Sequence, residues 1–170
     1  MSKNKIILIT GLPGCGKSTL INELIKKLKN KKIKGILTPE IRKDNYRYGF
    51  KIIDFSSKKE EILASVDIKS KFRVSKYGIN VIGIDRIVDK FLENFEKAEI
   101  IILDEIGKME FFSEKFKKML DKVFNSDKII IATIGKNLLN KYKNKGKVFY
   151  LEKGNFNEVL DEILKMFCTN

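Results

Sequence analysis

Residues 5–20 read KIILITGLPGCGKSTL. The run Lys5–Thr10 is aliphatic without alternation, as in a parallel strand buried on both faces. From Lys17 to Lys29, Leu20, Leu24, Ile25 and Leu28 recur on one helical face. The turn that joins them, Gly11–Ser18 (GLPGCGKS), matches G-x-x-x-x-G-K-[ST] in full. The strand before it and the helix after it are the context that this pattern requires.

Each residue type in the turn has a physical reason. Gly11, Gly14 and Gly16 permit backbone conformations that aim successive N–H groups at phosphate oxygens. The positive end of the following helix adds to the attraction for anions. Lys17 offers a point charge to the outer phosphates, Ser18 a hydroxyl to Mg²⁺, and Thr19 a side chain within reach of the inner phosphate. Leu12, Pro13 and Cys15 fill the variable positions of the same nucleotide-binding loop. Cys15 reads as a tolerated small residue rather than a nucleophile. A P-loop implies a nucleotide without saying what happens to it, since motors, switches, kinases and hydrolases all use one.

A second stretch, IIILDEIGKMEFF (residues 100–112), narrows the choice. An aliphatic strand ends on Asp104, as expected of the carboxylate that reaches a P-loop metal directly or through water. Glu105 follows, and adjacent residues of a strand point to opposite sides. A turn near Gly107 would let Glu105 face the site as well, where it could deprotonate a water attacking the γ-phosphate. The alternative is a structural ion pair with Lys108 or an arginine. The same residues satisfy the D-x-x-G pattern of switch GTPases, but no N/T-K-x-D guanine-reading tetrapeptide follows. P-loop ATPases with Glu directly after the Walker B Asp are the better match.

Strand-like and helix-like segments alternate through the rest of the chain. Strands are expected at Lys34–Thr38, Arg47–Phe55, Glu99–Leu103, Lys128–Thr133 and Lys147–Leu151. Helices are expected at Val81–Lys97, Ser113–Phe124, Lys136–Tyr142 and Asn155–Phe167, with Ser113 as the cap of the second. The fold class is α/β: a single P-loop domain over residues 1–170, with a mostly parallel sheet and helices on both faces. The irregular segment 56–80 reads as a small antiparallel insertion with extended pieces around Leu63–Val66 and Phe72–Val74.

Composition bounds the chemistry. The formal charge is +13, from 35 basic and 22 acidic residues, and there is no histidine. Without imidazole, acid–base work falls to carboxylates, Lys or Tyr. The two cysteines, Cys15 and Cys168, lie far apart, which argues against a disulfide framework and fits a reducing compartment. No apolar run approaches the roughly 18–20 residues of a membrane span. The apolar part of the N-terminal stretch is shorter than the roughly 7–15 residues of a signal-peptide core. A cytoplasmic chain with no membrane partner is expected. The lysines are scattered rather than interleaved with aromatics, which weakens the case for a nucleic-acid partner.

DEIGKMEFF, with Ser113 and Phe116 after it, resembles the signature of a small nucleoside-triphosphatase family first described in thermophilic archaea and bacteria. The human member of that family is the cancer-related nucleoside triphosphatase. TPEIR (Thr38–Arg42), RYGFKIID (Arg47–Asp54), FRVSKYGINV (Phe72–Val81) and LPGCGKSTL extend the resemblance over residues 5–135 or so. It implies a compact P-loop fold and slow, Mg²⁺-dependent hydrolysis of NTPs to NDP and phosphate with little base selectivity. It also implies that Gly11–Ser18 bind the phosphates, Asp104 the metal and Glu105 the proton, with Ile106, Gly107 and Lys108 along the same site. After Ala132–Thr133 this chain has Ile134-Gly135-Lys136, where family members often carry His or Pro, so no role is carried over to that loop.

Arg42, Arg47 and Arg73 are candidates to stabilise charge on the transferring phosphoryl group, Arg42 first. The alternative for Arg42 is a surface ion pair, for instance with Asp44. Tyr48 and Tyr77 are candidates for base stacking. The expected activity is that of an NTPase with ATP, GTP, CTP and UTP as substrates. A nucleotide, nucleoside or polynucleotide kinase and a nucleic-acid-associated ATPase are the alternatives. Oligomeric state is not legible.

Overall fold

The computed structural model describes residues 5–168. In chain order the elements are β1 (Ile6–Thr10), α1 (Lys17–Lys27), β2 (Ile33–Leu37), β3 (Glu40–Lys43) and β4 (Tyr46–Asp54). Next come β5 (Glu60–Ser65), β6 (Arg73–Val74), β7 (Tyr77–Ile79), α2 (Val81–Leu92) and β8 (Ile100–Ile106). The chain continues with α3 (Glu114–Phe124), β9 (Ile129–Ile134), α4 (Lys136–Tyr142), β10 (Lys147–Tyr150) and α5 (Phe156–Cys168). All ten strands form one sheet in the order β10-β1-β9-β8-β2-β4-β5-β7-β6, with β3 paired to β4.

The sheet is mixed. From β10 to β2 every neighbouring pair is parallel. From β2 onward every pair is antiparallel. The aliphatic strands of the parallel half are explained by cover on both faces. Ile7, Ile9, Ile100, Ile102 and Ile131 pack against Leu20, Ile21 and Leu24 of α1 and Val159 and Ile163 of α5. Their alternates Leu8, Ile101, Leu103, Ile130 and Ala132 pack on the opposite face with Ile84, Ile87 and Phe91 of α2 and Phe116 and Leu120 of α3. Each of these side chains larger than alanine contributes roughly 1.5–3 kcal/mol on burial, so these strands are the most firmly specified part of the fold.

The antiparallel part is larger than the expected insertion at 56–80. It begins at β3, because β3 and β4 fold on each other through Asp44 and Asn45, both with positive φ (46° and 66°). Asn and Asp tolerate that conformation better than other non-glycine residues. The short β3 and β7 strands were not expected from the residue pattern. The helix expected to reach Lys97 stops at Leu92. Asn94 sits in the left-handed region (φ 56°), and the chain resumes as a 3₁₀ turn at Phe95–Lys97. Ser113 caps α3 as expected, its Oγ accepting the Phe116 N–H at 3.0 Å. No helix among the described residues is long and apolar enough to cross a membrane.

Candidate active site

The loop between β1 and α1 takes its shape from two glycines. Gly14 (φ 76°) and Gly16 (φ 103°) occupy the left-handed region, where a Cβ would be strained. Gly16 is the N-cap of α1, so the free N–H groups of that helix open onto the loop. The Lys17 ammonium donates to the carbonyls of Gly11 (3.0 Å) and Leu12 (3.1 Å), which hold its charge over the loop.

Two strands away, β8 carries the carboxylates. Leu103 and Ile106 both pack into the core on the α2 face, although regular alternation would put residues three apart on opposite faces. The β8–β9 register shifts between them, a bulge that leaves Asp104 and Glu105 together on the phosphate-loop side. The Asp104–Glu105 peptide bond is cis. Asp104 is 7% exposed and accepts the Thr133 hydroxyl at 2.6 Å. Burial pushes its carboxyl above the usual range, opposed by hydrogen bonds from Thr133 and Ser18 and by the Lys17 charge. Glu105 faces open space and forms no ion pair among the described residues, so neither Lys108 nor an arginine ties it down. Its carboxyl is also raised, by the surrounding protein and the Asp104 charge, against Lys17 and Arg47.

A cavity of about 630 Å³ joins these parts. One wall is the loop and the start of α1, with Pro13, Gly14, Gly16, Lys17, Ser18 and Thr19. The floor carries Glu105, Gly107, Lys108, Met109 and Glu110, and the opposite wall Thr38, Pro39, Glu40, Arg47, Phe50, Leu63 and Val74. Asp104 stands just behind the floor, bonded to Thr133. Leu12 points to solvent (62% exposed), Cys15 packs against the core beneath α1, and Ile106 is wholly buried in the core on the opposite face.

Of the three candidate arginines, Arg47 lines the cavity and Arg42 does not. Arg42 sits on β3, where its guanidinium bonds the Glu40 carboxylate (3.2 Å) and the Asn45 carbonyl (2.8 Å). Its ion-pair partner is thus Glu40 rather than Asp44. Arg47 pairs with the other Glu40 oxygen at 2.5 Å. Arg73 is turned to the carbonyls of Ile68 and Lys76. The Tyr48 hydroxyl bonds Asp67 and that of Tyr77 the Arg47 carbonyl, and neither ring lines the cavity.

The site also contains residues that were not singled out. Glu110 is 4% exposed and held at the cavity floor. Burial pushes its carboxyl up to about 8, against N–H donors from its own backbone and from Gly107. A Cβ on Gly107 would come within 3.1 Å of the Glu110 carboxyl and 3.6 Å of the Glu105 carboxyl, so glycine there lets both approach. Thr38 donates to the Asp104 carbonyl at 2.7 Å and ties the end of β2 to the floor. The signal for Thr133 and Thr38 was a lone hydroxyl at the end of an aliphatic strand. Glu110 had only its place in DEIGKME.

A family profile described as NTPase matches residues 6–164. A relative from Thermotoga sp. (strain RQ2), named nucleoside-triphosphatase THEP1, is 44% identical over 170 residues, covering 96% of this chain and 96% of its own length. The crystal structure of THEP1 from the hyperthermophile Aquifex aeolicus superposes with a TM-score of 0.82 at 32% identity, covering 95% of this chain and 98% of that one. The solution structure of a human cancer-related nucleoside triphosphatase gives 0.78 at 26% identity, over 96% and 98% of the two chains. The phosphate loop, the paired carboxylates of β8 and these likenesses agree, and the protein belongs to the NTPase family.

Proposed function

We propose that the chain works as one P-loop unit that hydrolyses nucleoside triphosphates to the diphosphate and phosphate. Mg²⁺ assists, and there is little selection among ATP, GTP, CTP and UTP. The observation that carries this reading is the shared orientation of Asp104 and Glu105 toward the phosphate loop, made by the bulge in β8. The name of the Thermotoga relative, which specifies nucleoside triphosphates without specifying a base, supports the low selectivity.

In this reading the loop N–H groups and Lys17 hold the phosphates and align the γ-phosphorus with an incoming water. Glu105 takes the proton of that water as its oxygen bonds to phosphorus. The bond from phosphorus to the β–γ bridging oxygen breaks, and the diphosphate leaves. Arg47, rather than Arg42, carries charge on the phosphoryl oxygens because it lines the cavity. The Ser18 hydroxyl lies near enough to the Asp104 carboxylate to lower its pKa, and both are hard oxygen donors. That set fits Mg²⁺, which takes one or two protein carboxylates and completes its shell with phosphate and water. Mg²⁺ bound there would neutralise charge on the outer phosphates.

Phosphate release from the four nucleotides, wild type against Glu105→Gln, tests this. The expected loss in the variant is roughly 10²–10⁴-fold for every base. Equal rates in the two proteins would remove Glu105 from the mechanism, and no release from any nucleotide would overturn the reading. Added polynucleotide is expected to leave the rate unchanged.

A further inference from the structure

Glu110 is buried at the floor of the cavity, and the hydrolysis step above does not use it. It has no salt-bridge partner among the described residues. Acids are almost never fully buried unpaired, because the charged form loses its hydration. Burial pushes this carboxyl up to about 8, so near neutral pH it is uncharged and puts no second charge beside Glu105.

Its surroundings show what it holds. The N–H groups of Gly107 and of Glu110 itself lie near enough to act as donors to its carboxyl. The Glu110 carbonyl accepts the Ser113 N–H at 3.1 Å. Ser113 Oγ in turn donates to Asp85 of α2 at 2.5 Å and caps α3. The main chain of Glu110 is thus tied to the helical layer, while its side chain reaches back to the turn that follows Glu105. A Cβ built on Gly107 in that turn would lie 3.1 Å from Glu110 Oε2 and 3.6 Å from Glu105 Oε1. A Cβ on Gly135, just past β9, would lie 3.7 Å from the same Glu105 oxygen. Glu105 Oε1 therefore occupies a slot between two glycines, and Glu110 stands against the Gly107 side of it. A general base works only within hydrogen-bond reach of the proton it takes, and a misplacement of about 1 Å can cost on the order of 10²-fold.

We propose that Glu110 is a positioning residue for hydrolysis: it braces the Gly107 turn against the α2 and α3 layer and so keeps the Glu105 carboxyl in its slot, aimed at the attacking water. The proposal rests on the reading above, in which Glu105 is the base. Glu110 acts through Glu105 rather than on the nucleotide. Its contribution is therefore to the rate of the chemical step and not to nucleotide affinity.

The test measures kcat and KM for ATP hydrolysis by the full chain in Glu110→Ala and Glu110→Gln, each with Glu105 intact and with Glu105→Gln. Glu110→Ala is expected to lower kcat roughly tenfold or more with KM within about twofold. Glu110→Gln has the same length and keeps an oxygen to accept the Gly107 N–H, so it is expected to regain most of that rate. With Glu105→Gln already present, Glu110→Ala is expected to leave the residual rate within about twofold, because the group it positions is gone. Gly107→Ala is a second probe that does not open a cavity in place of Glu110. Gly107 lies outside the left-handed region, so the added Cβ acts by crowding Glu110 and Glu105, and kcat should again fall with KM kept. An unchanged kcat in Glu110→Ala, or in Gly107→Ala where Glu110→Ala does not fold, would overturn the proposal. So would an equal loss with and without the Glu105 carboxylate, which would make Glu110 merely structural, or a glutamine variant as slow as the alanine one. In all of these Glu105→Gln alone remains slow; if it is as fast as wild type, the assignment of the base fails and the proposal with it.

Discussion

The two halves of the sheet meet at β2 and follow different physics. The parallel half is covered by helices on both faces and contributes groups that act through fixed backbone: the glycine-shaped loop, the start of α1 and the bulge in β8. The antiparallel half joins one long strand, β4, to shorter ones and is more open. β3 has a single half-buried residue among four, and β4 is exposed at Tyr46 and Arg47 and fully buried only at Gly49, Ile52 and Asp54. It contributes side chains to a cavity wall rather than a backbone device. The contrast teaches that the phosphate end of this site is rigid by construction, whereas the far end is a surface on which specificity can change cheaply.

Four measurements would break or sharpen that contrast. The largest effect is expected in the parallel half from Lys17→Ala, which removes the fixed charge over the loop; phosphate release should fall by roughly 10²–10³-fold. A small loss would mean the loop amides suffice without it.

Next is Glu110, at the seam between the halves. Its folded pKa of about 8 lies above the ordinary 4.5, so between those values the unfolded chain releases a proton that the folded chain keeps. Stability therefore falls as pH rises through this window and levels off above it, by an amount on the order of 4–5 kcal/mol. Chemical denaturation at several pH values, in metal-free and nucleotide-free buffer, should show a clearly flatter profile for Glu110→Gln. Asp104 and Glu105, raised in the same direction, leave a residual slope. Superimposable profiles would show that Glu110 ionises normally.

Third, the two halves should differ in tolerance. Ile102→Ala, wholly buried between β8 and the α1/α5 layer, should cost about 2–5 kcal/mol. Ile62→Ala, 42% exposed on β5, should change stability by less than about 0.5 kcal/mol. Similar costs for both would erase the distinction. Smallest is the arginine comparison. Arg47→Ala should slow phosphate release roughly tenfold to a hundredfold, less than a free arginine finger is worth, because Glu40 shares its charge. Arg42→Ala should change it by no more than about twofold, since it is half-exposed and turned to Glu40 and Asn45. The reverse order would return the role to Arg42.

Much of the parallel half was legible in the residue pattern. The aliphatic runs, the helical periodicities and the Ser113 cap all mark local structure, and apart from the early end of α2 each stands in the structure within a few residues of its expected bounds. The antiparallel half was harder to read. β3 and β7 are too short to show a period of two, and the hairpin at Asp44–Asn45 lacks the glycine that would have announced it. Arg42 and Arg47 are alike as residues. Which one reaches the cavity depends on the register of β3 against β4, which shifts between Ile41 and Arg42.

The P-loop and the acid at the end of β8 could be recognised from a few consecutive residues, because glycine dihedrals, helix-end N–H groups and an aliphatic strand are all local properties of the chain. The orientation of Glu105, the burial of Glu110, the choice of Arg47 and the far wall of the cavity could not. Each arises where strands distant in sequence meet across β2 and β8, and packing across those ladders sets which side chains share a space.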